Sequence, residues 1–259
     1  MKRALVTGAG QRLGRAMALY LADRGFDVAV HYATSAVEAD EVVSQIKGKG
    51  RNAVAIKADL LNVDEMEELL PAASKALGGV ITCLVNNASI FEYDSISSAT
   101  RESWDRHLNS NLRAPLVLTQ AMAAQNLDAA VDEAGEAIAT GLVVNMVDQR
   151  VRKLTPEFMT YSLAKMGLWT LTQTTAQALA PAIRVNAIGP GPTLQGSRQS
   201  SAHFAAQRGA TILKRGANPS DVTAALGYFL DAPSVTGQLI CTDGGQHLGW
   251  KTPDVLGVE

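Results

Sequence analysis

Tyr161 and Lys165 stand four positions apart, so in a helix both side chains leave one face, close enough to interact. A phenol held beside an ammonium ionises below its ordinary pKa of about 10. Lowering it by about three units takes roughly 4 kcal/mol of differential stabilisation. That calls for a second positive charge beside Lys165, and a bound nicotinamide ring is one. Thr155-Pro156 predicts where the helix starts, with Thr as N-cap and Pro at N1, where its missing N–H costs nothing. The pair is a proton-transfer device only if the chain also builds a place for a redox cofactor.

The N-terminal segment has the pattern of such a place. The apolar run Lys2 to Thr7 leads into Gly8-Ala9-Gly10-Gln11-Arg12-Leu13-Gly14, and an amphipathic stretch from Ala16 to Ala22 follows. Strand, glycine turn and helix in that order let backbone N–H groups approach a pyrophosphate at a helix N-terminus. Phe26 to Tyr32 reads as the second strand. An acid at its end would bind a ribose 2′-OH, but none is present. His31, Tyr32, Thr34 and Ser35 offer neutral donors there, and Arg12 lies in the neighbouring loop. That set suits a 2′-phosphate and favours NADP(H) over NAD(H). Asp59, ending the third strand with Leu60 beside it, is placed to bind an adenine amino group.

The elements that must position these residues alternate along the chain. A helix is expected from Val63 to Leu77, and a strand from Ile81 to Val85 leading into Asn86-Asn87-Ala88-Ser89. A long helix from Trp104 to Val131, bent near Pro115, comes next, then a strand from Gly141 to Val147 and the helix with Tyr161. A strand from Ile183 to Ile188 runs into Gly189-Pro190-Gly191-Pro192, and a helix (Asp221 to Leu230) and a strand (Gln238 to Cys241) close the order. Strands alternating with helices predict an α/β fold, doubly wound around a parallel sheet with helices on both faces. The polar stretch 193–218 follows the sixth strand, where ligands bind in such sheets, and is expected to form a substrate lid.

With 259 residues, 47% hydrophobic and 19% charged, the chain reads as one globular domain with a sizeable core. A net charge of −2 without a long run of one sign points away from nucleic acid and membrane surfaces. No apolar stretch is long enough to span a bilayer, and no signal-peptide pattern precedes the first strand, so a cytoplasmic protein is expected. Cys83 and Cys241 each sit in an apolar strand-like run, as buried free thiols. His107, His203 and His247 lack metal-ligand spacing and are expected at the surface or in caps, with no metal site.

Taken together, Thr7-Gly8…Gly14, Asn86-Asn87-Ala88, Asn111-Leu112, Tyr161…Lys165, Arg184-Val185-Asn186 with Pro190-Gly191, and Asp243-Gly244-Gly245 resemble the short-chain dehydrogenase/reductase family over essentially the full length. The resemblance implies a seven-stranded Rossmann-type sheet, a nicotinamide cofactor and a homotetramer. It implies Tyr161 as proton donor, Lys165 lowering its pKa and binding ribose, and Asn111 holding a water in the proton relay. Gly8, Gly10, Leu13, Gly14, Asn87, Ala88, Pro190, Gly191 and Thr193 fall on the family's cofactor-binding segments.

Two departures narrow the resemblance. Arg12 stands where the family's loop normally has glycine, and Asp148 where a serine usually polarises the substrate carbonyl. Both are similar to the pteridine reductase and dihydromonapterin reductase branch, as are His31-Tyr32…Ser35 and Asn87-Ala88-Ser89-Ile90-Phe91. That likeness implies an aromatic at Phe91 stacking on a pterin, Arg12 contacting cofactor phosphate and pterin, and Ser89 lining the site. A pterin C=N bond needs its proton delivered to nitrogen, and a partly desolvated Asp148 should have a raised pKa and help Tyr161 and Lys165 deliver it. The leading expectation is an NADPH-dependent reductase of dihydropterins. The alternatives are a reductase of ketone, sugar or 3-oxoacyl-thioester carbonyls and a non-catalytic NADP-binding regulator.

Overall fold

The computed structural model describes residues 2–196 and 199–252. Its strands are β1 (Arg3–Val6), β2 (Asp27–Tyr32), β3 (Ala53–Lys57), β4 (Cys83–Asn86), β5 (Ala130–Val131), β6 (Ala137–Ile138), β7 (Gly141–Met146), β8 (Ile183–Pro190) and β9 (Leu239–Thr242). The helices are α1 (Arg12–Asp23), α2 (Ala36–Gly48), α3 (Val63–Ala76), α4 (Arg101–Leu108), α5 (Ala114–Ala123), α6 (Met159–Ala178), α7 (Ser201–Gly209) and α8 (Pro219–Asp231). Seven strands form one sheet in the order β3-β2-β1-β4-β7-β8-β9, all parallel. The order turns back between β1 and β4, the crevice where ligands bind in doubly wound sheets.

Alternation along the strands explains the two layers of helices. Ala4, Val6, Val28 and Val30 pack with Met17, Leu21, Val42, Ile46, Leu226 and Phe229, the side of α1, α2 and α8. The residues between them, Leu5 and Ala29, with Leu84, Val143 and Val185, pack with Met66, Leu69, Leu118 and Met122, the side of α3 and α5. Successive side chains on a strand point to opposite faces, so apolar runs with no polar alternation are what a sheet covered on both faces requires. Each large side chain removed from water contributes about 1.5–3 kcal/mol.

Register aligns the loops that matter. Val6 pairs with Val85, Asn86 with Asn145, and Met146 with Ile188. The glycine turn after β1, the Asn87–Phe91 segment after β4, Asp148 after β7 and Gly191 after β8 therefore open on one edge of the sheet.

Two expected elements differ. The long helix from Trp104 to Val131 is interrupted by a π-helical turn, Asn109–Arg113, ends at Ala123, and gives way to the antiparallel pair β5 and β6. Pro115 lies in the first turn of α5, and its ring nitrogen has no hydrogen to donate to the carbonyl four residues earlier, that of Asn111. The helix carrying Tyr161 starts at Met159 and not at Thr155-Pro156. Phe158 precedes it in a left-handed conformation, φ +55°, and the Thr155 hydroxyl accepts from Arg150 Nη1 at 2.7 Å instead of capping a helix.

Candidate active site

The glycine turn is shaped by contacts a side chain would block. Gly8 has φ +61°, and a Cβ on Gly14 would lie 2.1 Å from the Gly8 carbonyl oxygen. A Cβ on Gly10 would come within 2.8 Å of Ser35 Oγ. Asn87 Nδ2 donates to the carbonyls of Thr7 (2.8 Å) and Gly8 (3.1 Å), and Thr7 Oγ1 accepts from Asn87 N and Ala88 N, both at 2.9 Å. Gln11 precedes α1 without capping it through its side chain, so the helix N-terminus presents its N–H groups and positive dipole end to an anion. This close backbone approach at a helix start fits the pyrophosphate of a dinucleotide.

Arg12 occupies the loop with φ +52°, a left-handed conformation that glycine adopts at less cost. That accounts for glycine being usual there. Its exposed guanidinium reaches across the cleft to the carbonyls of Leu194 (3.0 Å) and Gln195 (2.9 Å). Leu13 is half-buried on α1 and Leu60 is buried in the core under α3. Thr34 is exposed and Ser35, half-buried, leaves α2 uncapped by its hydroxyl, so both present hydroxyls at this mouth. Asp59 is exposed and accepts from Leu61 N at 2.9 Å. His31 departs from the expected role of a phosphate donor. It is 2% exposed, its Nδ1 accepts from Gly8 N at 3.0 Å, and its Nε2 faces the Ala58 carbonyl at 3.0 Å. Because Gly8 donates to Nδ1, Nε2 carries the proton, and burial holds the ring neutral, its pKa lowered against the Ala58 carbonyl and the Asp59 charge. His31 braces the glycine turn from below.

At the other side of the crevice the Tyr161 hydroxyl donates to Asp148 Oδ2 at 2.8 Å, and Asp148 Oδ1 accepts from Arg150 N at 2.8 Å. Burial raises the Asp148 pKa and outweighs the Arg150 N–H, the Tyr161 hydroxyl and the charges of Arg150 and Lys165. That agrees with the raised aspartate expected from its position. Tyr161 goes the other way from expectation: burial, then the charge of Asp148 and the hydrogen bond to it, push its pKa well above 10. Lys165 is 2% exposed, donates from Nζ to the Met146 carbonyl at 2.7 Å, and lies 5.6 Å from the Tyr161 ring centroid. Burial lowers its own pKa to about 8 against the pull of Asp148. Burial first, and the Asp148 carboxylate second, favour the protonated phenol.

Asn111 is fully buried in the π-helical turn, and its side chain is committed to Ile90, accepting from the Ile90 N–H and donating to the Ile90 carbonyl, both at 2.8 Å. This fixes the segment from Asn87 to Phe91. Ser89 is exposed on it. Phe91 stacks on Phe158 with centroids 4.3 Å apart and planes 8° off parallel, and meets the Tyr161 ring edge-on at 4.7 Å. Tyr93 closes on Phe158 edge-on at 5.3 Å, and the Arg150 guanidinium lies 4.9 Å from the Phe158 centroid.

Behind this wall runs a network that local sequence reading missed. His107, expected at the surface or in a cap, is fully buried, 6.0 Å from the Tyr161 ring. Its Nε2 accepts from Glu92 N at 3.1 Å, so Nδ1 carries the proton and donates to Thr160 Oγ1 at 2.7 Å; that hydroxyl donates to Asp94 Oδ2. Asp94 Oδ1 also accepts from Thr160 N at 3.1 Å, and its carbonyl accepts from Phe158 N at 2.8 Å. Burial depresses the His107 pKa over the opposing Asp94 and Glu92 charges. Left-handed backbone at a bulky residue costs of order 1–3 kcal/mol, and these bonds are what hold Phe158 there.

The remaining expected residues bound the mouth. Gly191 approaches Asp243 so closely that a Cβ would lie 2.7 Å from its Cα, and Thr193, 6% exposed, donates to the Gly191 carbonyl at 3.0 Å. Pro190 ends β8. The stretch 193–218 contains α7, and Ser197 and Arg198 lie outside the described residues. Arg208 ties its base together, donating to the carbonyls of Pro192 (2.9 Å) and Gly216 (3.2 Å) and to Asn218 Oδ1 (3.1 Å). Nothing in local sequence singled Arg208 out. The C-terminal stretch 249–254 falls partly outside the described residues, which end at Thr252. Cys83 and Cys241 are free; Cys83 on β4 is buried as expected, whereas Cys241 is only half-buried because β9 is the edge strand of the sheet. Among the described residues no group of three or more His, Cys, Asp or Glu is arranged to hold a metal ion, and no helix is long and apolar enough to cross a membrane.

A dinucleotide crevice facing a Tyr–Lys pair defines an oxidoreductase, and comparison with known proteins gives its class. The short chain dehydrogenase family model matches residues 2–205, and the chain belongs to that family. Among solved structures it is similar to FolM alternative dihydrofolate reductase 1 from Brucella suis in complex with NADP: 41% identity, 98% of each chain covered, TM-score 0.90. It is also similar to the landomycin C-6 ketoreductase LanV with bound NADP and rabelomycin, at 29% identity over 96% of this chain and 97% of that one, TM-score 0.83. Among curated proteins, a 3-oxoacyl-[acyl-carrier-protein] reductase of Staphylococcus epidermidis is 32% identical over 252 residues, 95% of this chain and 99% of the relative.

Proposed function

We propose that this protein is an NADPH-dependent reductase of dihydropterins. The observation that carries the reading is the 2.8 Å hydrogen bond from Tyr161 to Asp148, set against the Phe91 ring. A carbonyl oxygen calls only for a neutral donor, whereas a ring C=N bond needs a proton placed on nitrogen and an acceptor for neighbouring N–H groups. A carboxyl with a raised pKa serves both. The similarity to a structure described as an alternative dihydrofolate reductase in complex with NADP supports both substrate class and cofactor.

When bound, a reduced nicotinamide supplies the hydride. Tyr161 gives its hydroxyl proton to the substrate nitrogen, and Asp148, half-buried at the mouth, passes a replacement from solvent. Lys165, anchored on the Met146 carbonyl, holds positive charge under the phenol and would donate to the ribose of a bound cofactor. The Asn111 carbonyl, which Pro115 cannot engage, accepts the water that links Lys165 to solvent. Phe91 gives a flat ring a stacking surface. Thr34, Ser35 and Arg12 receive the 2′-phosphate, and the stretch 193–218 closes over the substrate. Apolar surface exposed on α4, α5 and α6, including Trp104, Leu116 and Leu163, supports assembly as a homotetramer.

The test is oxidation of NADPH by the purified protein with 7,8-dihydrobiopterin or 7,8-dihydromonapterin, beside ketones and 3-oxoacyl thioesters. Turnover of a dihydropterin that is lost in Tyr161→Phe is expected. The reductase relatives acting on 3-oxoacyl carriers and polyketides favour a second reading, reduction of a carbonyl. Turnover of those substrates with none on dihydropterins would make it the function.

A further inference from the structure

Phe91 and Phe158 come from distant parts of the chain, one after β4 and one just before α6, yet one buried network holds both. Asp94, Thr160 and His107 are 2%, 2% and 0% exposed. The Asp94 carbonyl accepts from Phe158 N at 2.8 Å, and its carboxylate takes the Thr160 N–H at 3.1 Å and the Thr160 hydroxyl. His107 Nδ1 donates to that hydroxyl at 2.7 Å, and Nε2 accepts at 3.1 Å from Glu92 N, the residue next to Phe91. Both nitrogens of the His107 ring and the Thr160 hydroxyl are thereby committed to fixing these two segments. The Tyr161 hydroxyl takes no part, since it donates to Asp148.

The network sets one ring against the other. Phe158 stacks on Phe91 at 4.3 Å, 8° from parallel, with the Arg150 guanidinium over the Phe158 ring at 4.9 Å and Tyr93 edge-on to it at 5.3 Å. Phe158 is thus fixed through its backbone and by three neighbours at its ring. We propose that Phe158, clamped by Asp94, Thr160 and His107, is a positioning residue that makes the site selective for flat rings. This rests on the dihydropterin reading above and names what in the site enforces it. With one face against Phe158, Phe91 offers a substrate only its other face, and it cannot tilt to follow a puckered ring. Carbon contacts are best at about 3.5–4.0 Å, and a gap of about 0.5–1 Å forfeits a quarter to a half of each. A planar pteridine keeps those contacts across its whole area, whereas a saturated bicycle keeps them at a few atoms. The left-handed φ of +55° at Phe158 is strain that the clamp sustains, of the kind that functional sites hold.

The experiment measures kcat/KM by NADPH oxidation for 7,8-dihydrobiopterin and for trans-1-decalone, a puckered ketone of similar two-ring size. The ratio of the two is compared in the wild type, Phe158→Asn, Phe158→Tyr, Thr160→Val and Thr160→Ser. Asn tolerates a left-handed backbone, so Phe158→Asn removes the ring and leaves the turn. The ratio is expected to fall about fivefold in Phe158→Asn, carried by KM for the dihydropterin, with KM for NADPH unchanged. Thr160→Val, which breaks the clamp, should show the same fall. Phe158→Tyr and Thr160→Ser, which keep the ring and the hydroxyl, should restore the wild-type ratio. An unchanged ratio in Phe158→Asn overturns the proposal. So does a Thr160→Val protein in which KM for NADPH and for both substrates rise together, the mark of a network that only supports the fold. Where the wild type leaves the ketone untouched, KM for 7,8-dihydrobiopterin decides alone, and a wild-type value in Phe158→Asn overturns the proposal. A wild type that does not turn over 7,8-dihydrobiopterin refutes the dihydropterin reading, and the selectivity falls with it. Turnover of 7,8-dihydrobiopterin with an unmoved ratio leaves that reading standing and refutes the role of Phe158 alone.

Discussion

Asp148→Asn replaces the carboxylate with a neutral side chain of the same shape. Asn can still accept from Arg150 N and can donate to the Tyr161 oxygen, so the 2.8 Å contacts on either side of residue 148 can be kept. What is lost is a proton-carrying group beside the phenol. Positioned acid–base groups contribute 10²–10⁴-fold, so kcat on a dihydropterin should drop about 100-fold, near 2.7 kcal/mol of barrier at 1.36 kcal/mol per tenfold. The pH profile should change with it. A wild-type rate that depends on protonated Asp148 declines as pH rises through that group's raised pKa, and this limb should vanish in the variant. Stability should move oppositely. Asp148 has a folded pKa above its unfolded value, so its contribution is fully present below the unfolded pKa and is lost as pH rises through the folded one. The melting temperature of Asp148→Asn relative to wild type should therefore climb as pH rises above the ordinary carboxylate pKa of about 4. Steady-state NADPH oxidation across pH and thermal melts of both proteins make the comparison. An unchanged rate with an unchanged profile refutes the assignment of Asp148 to proton delivery.

Other consequences follow from the bracing of the site. Gly14→Ala puts a Cβ 2.1 Å from the Gly8 carbonyl; it should abolish NADPH binding, read by quenching of tryptophan fluorescence, and binding near wild-type affinity would contradict the close packing of the turn. Thr160→Val removes the hydroxyl joining His107 to Asp94. A buried partner left unsatisfied costs about 1–3 kcal/mol, so denaturant unfolding should show that loss, with KM for the pterin raised as Phe158 and Phe91 loosen. His31 and His107 have pKa values depressed by burial. Their neutral forms contribute stability above the unfolded pKa of about 6.5 that is lost as pH falls through the folded values. The melting temperature should accordingly drop on acidification from about pH 7 to 5, and a flat acid limb would argue against the two neutral tautomers.

The order of strands and helices was legible in sequence because each element carries its own period. Leu5 and Val6 announce a two-sided strand, and Tyr161 with Lys165 needs only helical spacing to share a face. The glycine turn was legible too, since Gly8 and Gly14 answer to backbone geometry within a few residues of themselves. Only the tertiary structure decided the chemical state of these groups. Tyr161 and Asp148 are neighbours in space through the β7 strand end, and their burial together turns the phenol's pKa upward, against what the lysine four residues on suggests. His31 reads locally as a donor at a strand end, yet Gly8 and Ala58 take both of its ring nitrogens. Phe158, Arg150, His107 and Asp94 have no periodic signature at all. Their roles come from contacts across separate loops, so local periodicity has nothing to register, and burial, which sets their pKa values and strain, exists only once the chain has closed on itself.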